Sequence, residues 1–171
     1  MQNRKTKKRI QYWNSLSMLV ACISLSGCGN DRLPASVTGY NHMSDWSIER
    51  FTVDGASGPN LSPEEGGGGS CCASIPRHWH PGMKVKIQWA YDTTQNGPQP
   101  PSPQEAIVDL PQYPSQGGDI QVHFYPGHKV KVVISEYGIG HPLYPMSEED
   151  KRPWETRKDL LLPQLRAAPL P

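Results

Sequence analysis

Hydrophobic and polar residues alternate with a period of two over several short stretches. Met83-Lys-Val-Lys-Ile-Gln-Trp89 places Met83, Val85, Ile87 and Trp89 on one face and Lys84, Lys86 and Gln88 on the other, which predicts a half-buried strand. Asp119-Ile-Gln-Val-His-Phe124 and Lys129-Val-Lys-Val-Val-Ile134 alternate likewise. Tyr125-Pro-Gly-His128 between them has hairpin length, so these two strands are expected to pair antiparallel. Earlier strands are predicted at Ser36–His42, where Gly39 is read as a bulge, and at Ser47–Val53. His80-Pro-Gly-Met-Lys-Val-Lys-Ile87 and Tyr125-Pro-Gly-His-Lys-Val-Lys-Val132 echo each other, which reads as two uses of one strand-launching Pro-Gly turn.

Eighteen prolines and sixteen glycines interrupt the chain too often for long helices. The expected fold is therefore mainly β, a small antiparallel β-sandwich-like domain over residues 36–146, with long Gly/Pro-rich loops at 54–70 and 92–105. One short C-terminal helix is predicted over 147–162, with Ser147-Glu-Glu-Asp150 at its start and Trp154, Lys158 and Leu161 on its docking face. Residues 163–171 are rich in proline and are read as a disordered tail.

The N-terminus carries a different pattern. Arg4, Lys5, Lys7, Lys8 and Arg9 precede the mostly apolar run Leu16–Leu25, the n-region and h-region of a signal peptide. Crossing a bilayer takes about 20 apolar residues, and this run ends sooner, at Ser26-Gly-Cys28. Leu25-Ser-Gly-Cys28 resembles the lipobox of bacterial lipoproteins. That resemblance implies removal of residues 1–27, diacylglycerol on the Cys28 thiol and a lipidated tether over 28–35. In that class an Asp directly after the lipidated cysteine marks inner-membrane retention. Gly29 stands there, which favours the periplasmic face of the outer membrane.

Cleavage changes the charge. All five basic residues of the leader are lost, leaving 144 residues with twelve basic and sixteen acidic side chains, net −4 instead of +1. That length suits one domain with a modest core. Scattered cations on an acidic domain form no basic stripe, so nucleic acid is excluded as an expected partner.

Cys71 and Cys72 are the thiols left to the domain. An oxidising compartment favours disulfides, yet neighbouring Cα atoms lie about 3.8 Å apart, nearer than an ordinary bridge allows. A strained vicinal disulfide, two buried thiols, and intermolecular or metal chemistry all stay open. His78 and His80 with Cys71 and Cys72 have the donor chemistry zinc prefers. Pro76 and Pro81 hold those histidines in a turn, and the expectation is no metal and no cofactor. No Gly-x-Ser-x-Gly, His-Glu-x-x-His or phosphate-cradling loop is present, so the chain is read as a non-enzyme.

Val37-Thr-Gly-Tyr-Asn-His42, Phe51-Thr-Val-Asp-Gly55, the glycines before Cys71-Cys72, Trp79 with Pro81-Gly82, Val85–Trp89 and Gly140-His-Pro-Leu-Tyr-Pro145 together resemble a family of Gram-negative lipoproteins that occur beside type VI secretion lipase effectors. The resemblance covers roughly residues 35–145. It implies an immunity protein that binds and inhibits a cognate secreted phospholipase, held at the membrane by its lipid. Glu64, Glu65 and Trp79 are the partner-binding candidates, weighed against a solvated acidic loop and a core aromatic. Two other readings stay in view: a structural or assembly lipoprotein of an envelope machine, and a thiol enzyme using Cys71 and Cys72.

Overall fold

The computed structural model describes residues 31–93 and 97–151. Among them eight strands run in the order β1 (Arg32–Asn41), β2 (Trp46–Val53), β3 (Ala56–Ser57), β4 (Glu65–Pro76), β5 (Lys84–Thr93), β6 (Gln104–Asp109), β7 (Asp119–Tyr125) and β8 (Lys129–Ser135), followed by the helical turn α1 (Glu148–Lys151). They form two four-stranded sheets, ordered β4-β1-β7-β8 and β3-β2-β5-β6. The domain is mainly β and sandwich-like. All pairings are antiparallel except β1 with β7, whose register runs parallel from Val37↔Ile120 to Asn41↔Phe124. The parallel pair arises because the chain leaves β1, builds the whole second sheet, and returns beside β1 in the same direction.

Alternation dictates what fills the space between the sheets. Val37, Ile120, Val122, Phe124, Val132 and Ile134 of the first sheet meet Ile48, Phe51, Val53, Val85, Ile87, Trp89 and Tyr91 of the second in one core. Phe51 and Phe124, each 1% exposed, meet edge to face across it with ring centroids 5.1 Å apart. Burying one such ring contributes roughly 1.5–3 kcal/mol. Gly58 is required there, since a Cβ would lie 1.9 Å from the Phe51 Cζ.

The other face of the first sheet is covered as well. Tyr40 and Val133 pack under Ile139 and Tyr144, with Tyr137 and Met146 beside them, so the segment after β8 forms a third layer. α1 is four residues long. The rest of the helix expected over 147–162 lies outside the described residues.

The Asp119–Tyr125 and Lys129–Ser135 strands pair as the pattern predicts, through a turn with φ +74° at Gly127 and +60° at His128. The two echoing turns launch strands in different sheets, β5 and β8. Three expectations need correction. β1 begins at Arg32, not Ser36: Leu33 and Ala35 pack on the core, which takes residues 32–35 out of the tether. The segment 65–70, read as loop, is the first half of β4. It pairs with β1 through its backbone, and the glycine run has no side chains to show a pattern. Residues 104–109, read as the end of a loop and the stretch beyond it, form β6, an edge strand whose partner supplies the order.

Candidate functional site

Cys28 lies outside the described residues. By sequence it stands four positions before Arg32, the first residue of β1.

Cys71 and Cys72 sit on β4, an edge strand of the first sheet. Ala35 pairs with Ala73 and Val37 with Ser70, so two steps of β1 face three of β4, a β-bulge. The extra residue brings Cys72 to φ +81°, and a disulfide joins the two neighbouring cysteines. Both are exposed. While that bond is intact, neither sulfur is a thiolate for a metal or a nucleophile.

The two histidines have other partners. His78 Nε2 lies 3.7 Å from Asp31 Oδ2, whose Oδ1 is 3.2 Å from Arg77 Nε. His80 Nδ1 is 3.1 Å from the Pro81 carbonyl oxygen. Among the described residues, no three His, Cys, Asp or Glu side chains gather as metal ligands.

Glu64, Glu65 and Trp79 do not share a surface. Glu65 pairs with Asn41 at one end of β4 and Pro76 with Arg32 at the other, which separates the acidic pair from Trp79 by roughly 30–35 Å at about 3.3 Å per residue. Glu64 occupies a tight turn at φ +53°, its N–H donating to the Met43 carbonyl at 2.9 Å. Trp79 packs against the core, and its Nε1–H donates to the Leu110 carbonyl at 2.8 Å. It is a structural anchor for the loop between β4 and β5. The large apolar side chains left open among the described residues are Ile107 on edge strand β6, 67% exposed, and Leu143 in the third layer, 64% exposed.

A buried cluster of chemistry-bearing side chains was not flagged by the sequence. On the covered face of the first sheet, His123 of β7 is fully buried between His42 and Tyr144. His42 Nε2 lies 2.8 Å from His123 Nδ1, and His123 Nε2 lies 2.6 Å from Tyr144 Oη. With both rings neutral, the protons point in one sense along the chain: either Tyr144 donates to His123 and His123 to His42, or each bond is reversed. Tyr40 stacks on His123 with centroids 4.7 Å apart, and Tyr125 stacks on His42 at 4.3 Å. Gln121 completes the layer, its Nε2 donating to the Ser135 and Tyr137 carbonyls at 3.1 and 2.8 Å and its Oε1 accepting from Tyr40 Oη at 3.3 Å.

The environment fixes the charge state. Burial first, then the neighbouring His42, lowers the His123 pKa to about 3, and burial raises the Tyr144 hydroxyl well above the usual phenol range. A general base acting at neutral pH needs a pKa near 7 and a route to substrate; a buried imidazole that titrates near 3 has neither. At the layer's rim, burial pushes the Asp150 carboxyl up, and hydrogen bonds led by Lys131 Nζ at 2.6 Å and Ser147 Oγ at 3.0 Å more than offset this, so its pKa is lowered. The arrangement is a polar brace that ties the third layer to the sheet. Its only sequence signal is that Gln121, His123 and Tyr125 alternate with Ile120, Val122 and Phe124 while remaining half-aromatic, a pattern that also fits a solvent face.

The family model described as "Protein of unknown function (DUF3304)" matches residues 40–132, from the end of β1 to the middle of β8. No curated protein and no solved structure matches the chain.

Proposed function

The chain belongs to the family described as "Protein of unknown function (DUF3304)", and for this member we propose a binding role at a membrane: a lipoprotein anchored through Cys28 at the periplasmic face of the outer membrane, which binds and inhibits a secreted phospholipase effector. The observation that carries the reading is the start of β1 at Arg32, four positions past the lipobox cysteine. At about 3.5 Å per residue, the folded domain begins within roughly 14 Å of the lipidated residue. A domain held that close meets a phospholipase at the surface the enzyme attacks, where tethering raises its effective concentration.

Other features fit the same picture. A disulfide between Cys71 and Cys72 suits an oxidising envelope compartment. The brace around His123 is sealed, whereas Ile107 and Leu143 are large, apolar and open to a partner.

Metabolic labelling with a fatty acid, wild type against Cys28→Ser, tests the anchor: label on the wild type alone is expected. Co-expression with a lipase encoded beside the gene and directed to the periplasm tests the role. Survival should rise with the wild-type protein and fall back with Cys28→Ser. Cells that die equally fast with and without the protein would remove the inhibitor reading, whatever the labelling shows.

A further inference from the structure

β4 divides at Cys71 and Cys72 into two unlike halves. Residues 73–76 pair with 32–35 without a shift. Ala73 and Ile75 are buried in the core, and Arg32 Nε donates to Ser74 Oγ at 2.8 Å and its Nη2 to the Ser74 carbonyl at 2.5 Å, so side chains fix the register of this half. Residues 65–70 include four glycines, and none of these residues is buried. A strand of that composition specifies its register weakly.

The register breaks at the cysteines. Continued in step from Ala35↔Ala73, it would set Cys72 opposite Ser36 and Cys71 opposite Val37; instead Ser70 stands opposite Val37. Successive residues of a regular strand point to opposite faces, so two neighbours whose sulfurs are bonded do not fit one. The bond and the bulge go together, and Cys72 carries the distortion in its backbone. Of the described non-glycine residues with positive φ, Asp54, Glu64 and His128 lie in turns, and Cys72 at +81° is the one inside a strand, a conformation that a Cβ disfavours. Opening the bond removes the reason for it. In the continuous register Cys71, as a free thiol a small apolar side chain, replaces the Ser70 hydroxyl opposite Val37, whose exposure is 0%. The far end of the strand also tolerates a slide. A Cβ at Gly66 would lie 2.1 Å from Tyr40 Cδ1, so glycine must face that ring, and a slide of one residue brings Gly67 to it.

We propose that Cys71–Cys72 is a redox-active site for a dithiol reductant, and that opening it lets residues 65–71 slide by one along β1. A thiolate of the reductant attacks one sulfur and forms a mixed disulfide. Its second thiol then displaces the cysteine, which leaves the reductant as a disulfide and Cys71 and Cys72 as thiols, with two electrons and two protons transferred. Both cysteines are exposed on an edge strand, within reach of such a protein. The slide moves Glu65 out of its pairing with Asn41 and displaces Glu64 from the Met43 carbonyl, so a redox change at the cysteines reshapes the acidic turn at the other end of the strand. The site goes beyond the inhibitor role and depends neither on it nor on Cys28.

The test uses the full chain carrying Cys22→Ser and Cys28→Ser, which leaves Cys71 and Cys72 as its cysteines. Dithiothreitol stands in for the reductant, and alkylation followed by intact mass counts thiols in the folded protein: both cysteines should be modified after treatment and neither before. Residue-resolved amide exchange by NMR then reads the register. A one-residue slide turns outward each amide of 65–70 that faced β1 and turns inward each that faced solvent, so protected and unprotected amides should trade places while 73–76 stay as they were. Cys72→Ser should show the slid pattern with or without dithiothreitol; if it does not fold, the protein with both cysteines decides. A bond that resists dithiothreitol in the folded protein, or reduction that leaves the same amides protected or none of them, would overturn the site.

Discussion

Replacing His123 with glutamine gives a pH-dependent signature that a merely destabilising core substitution does not. In the folded chain His123 is fully buried, and burial with the neighbouring His42 holds its pKa at about 3 against an ordinary 6.5. The unfolded chain takes up a proton near pH 6.5 that the folded chain refuses. The stability contributed by keeping this ring neutral is therefore complete above pH 6.5 and declines as pH falls toward 3. At pH 4.5 the gap of about two pH units below the unfolded value corresponds to about 3 kcal/mol, at 1.36 kcal/mol per unit. The shorter-reaching amide would satisfy one of the two groups that face His123 and leave the other, His42 Nε2 or Tyr144 Oη, buried without its partner, at a cost of about 1–3 kcal/mol. Urea unfolding of both proteins at pH 7.5 and 4.5 reads the difference. His123→Gln should be the less stable protein at pH 7.5, and its deficit should shrink by about 3 kcal/mol at pH 4.5 or change sign. A deficit equal at the two pH values would refute the neutral, sealed brace.

Phe51→Ala removes the ring that meets Phe124 and fills the space over Gly58, and should cost about 3–5 kcal/mol, seen as a fall of roughly 10–20 °C in the thermal midpoint. Replacing both Cys71 and Cys72 with Ser should change stability by no more than about 1 kcal/mol, because a bridge between adjacent residues closes almost no chain loop; a loss above about 3 kcal/mol in denaturant would contradict this. Asp150→Asn weakens the bonds from Lys131 and Ser147 to a carboxylate 23% exposed and should cost about 1 kcal/mol at pH 7. Since the folded Asp150 pKa is lowered, that contribution is present above the unfolded carboxyl pKa and lost as pH falls through the folded one, so the two proteins should unfold alike in strongly acidic urea.

Strands that face the core were legible wherever they lie inside a sheet. β5 buries alternate residues over its first half, and β7 sets Ile120, Val122 and Phe124 on the core side at alternate positions while its other face is buried too; a period of two written in Val, Ile and Trp has no other comfortable explanation. β4 and β6 were not legible. Each is an edge strand held by one neighbour, and β4 begins with glycines whose pairing to β1 uses only backbone groups. The candidate residues divided in the same way. Adjacency of Cys71 and Cys72 was visible, and the pairing of their sulfurs was one of several open outcomes. Trp79, His78 and His80 were visible as residue types, but their partners, Leu110, Asp31 and the Pro81 carbonyl, lie in loops or beyond strand ends that no periodicity locates.

Residue order alone was enough for the short-range features: the leader-like pattern that ends at Cys28, the β-rich class, the β7–β8 hairpin and the scatter of charge without a basic stripe. These depend on residues close together in the chain. Packing settled what depends on residues brought from far apart: the parallel β1–β7 pair, the His42–His123–Tyr144 brace across 81 and 21 positions, and the hold of Arg32 on Ser74, 42 positions away. Burial and partnership set the chemistry of a side chain, and both are properties of the folded molecule.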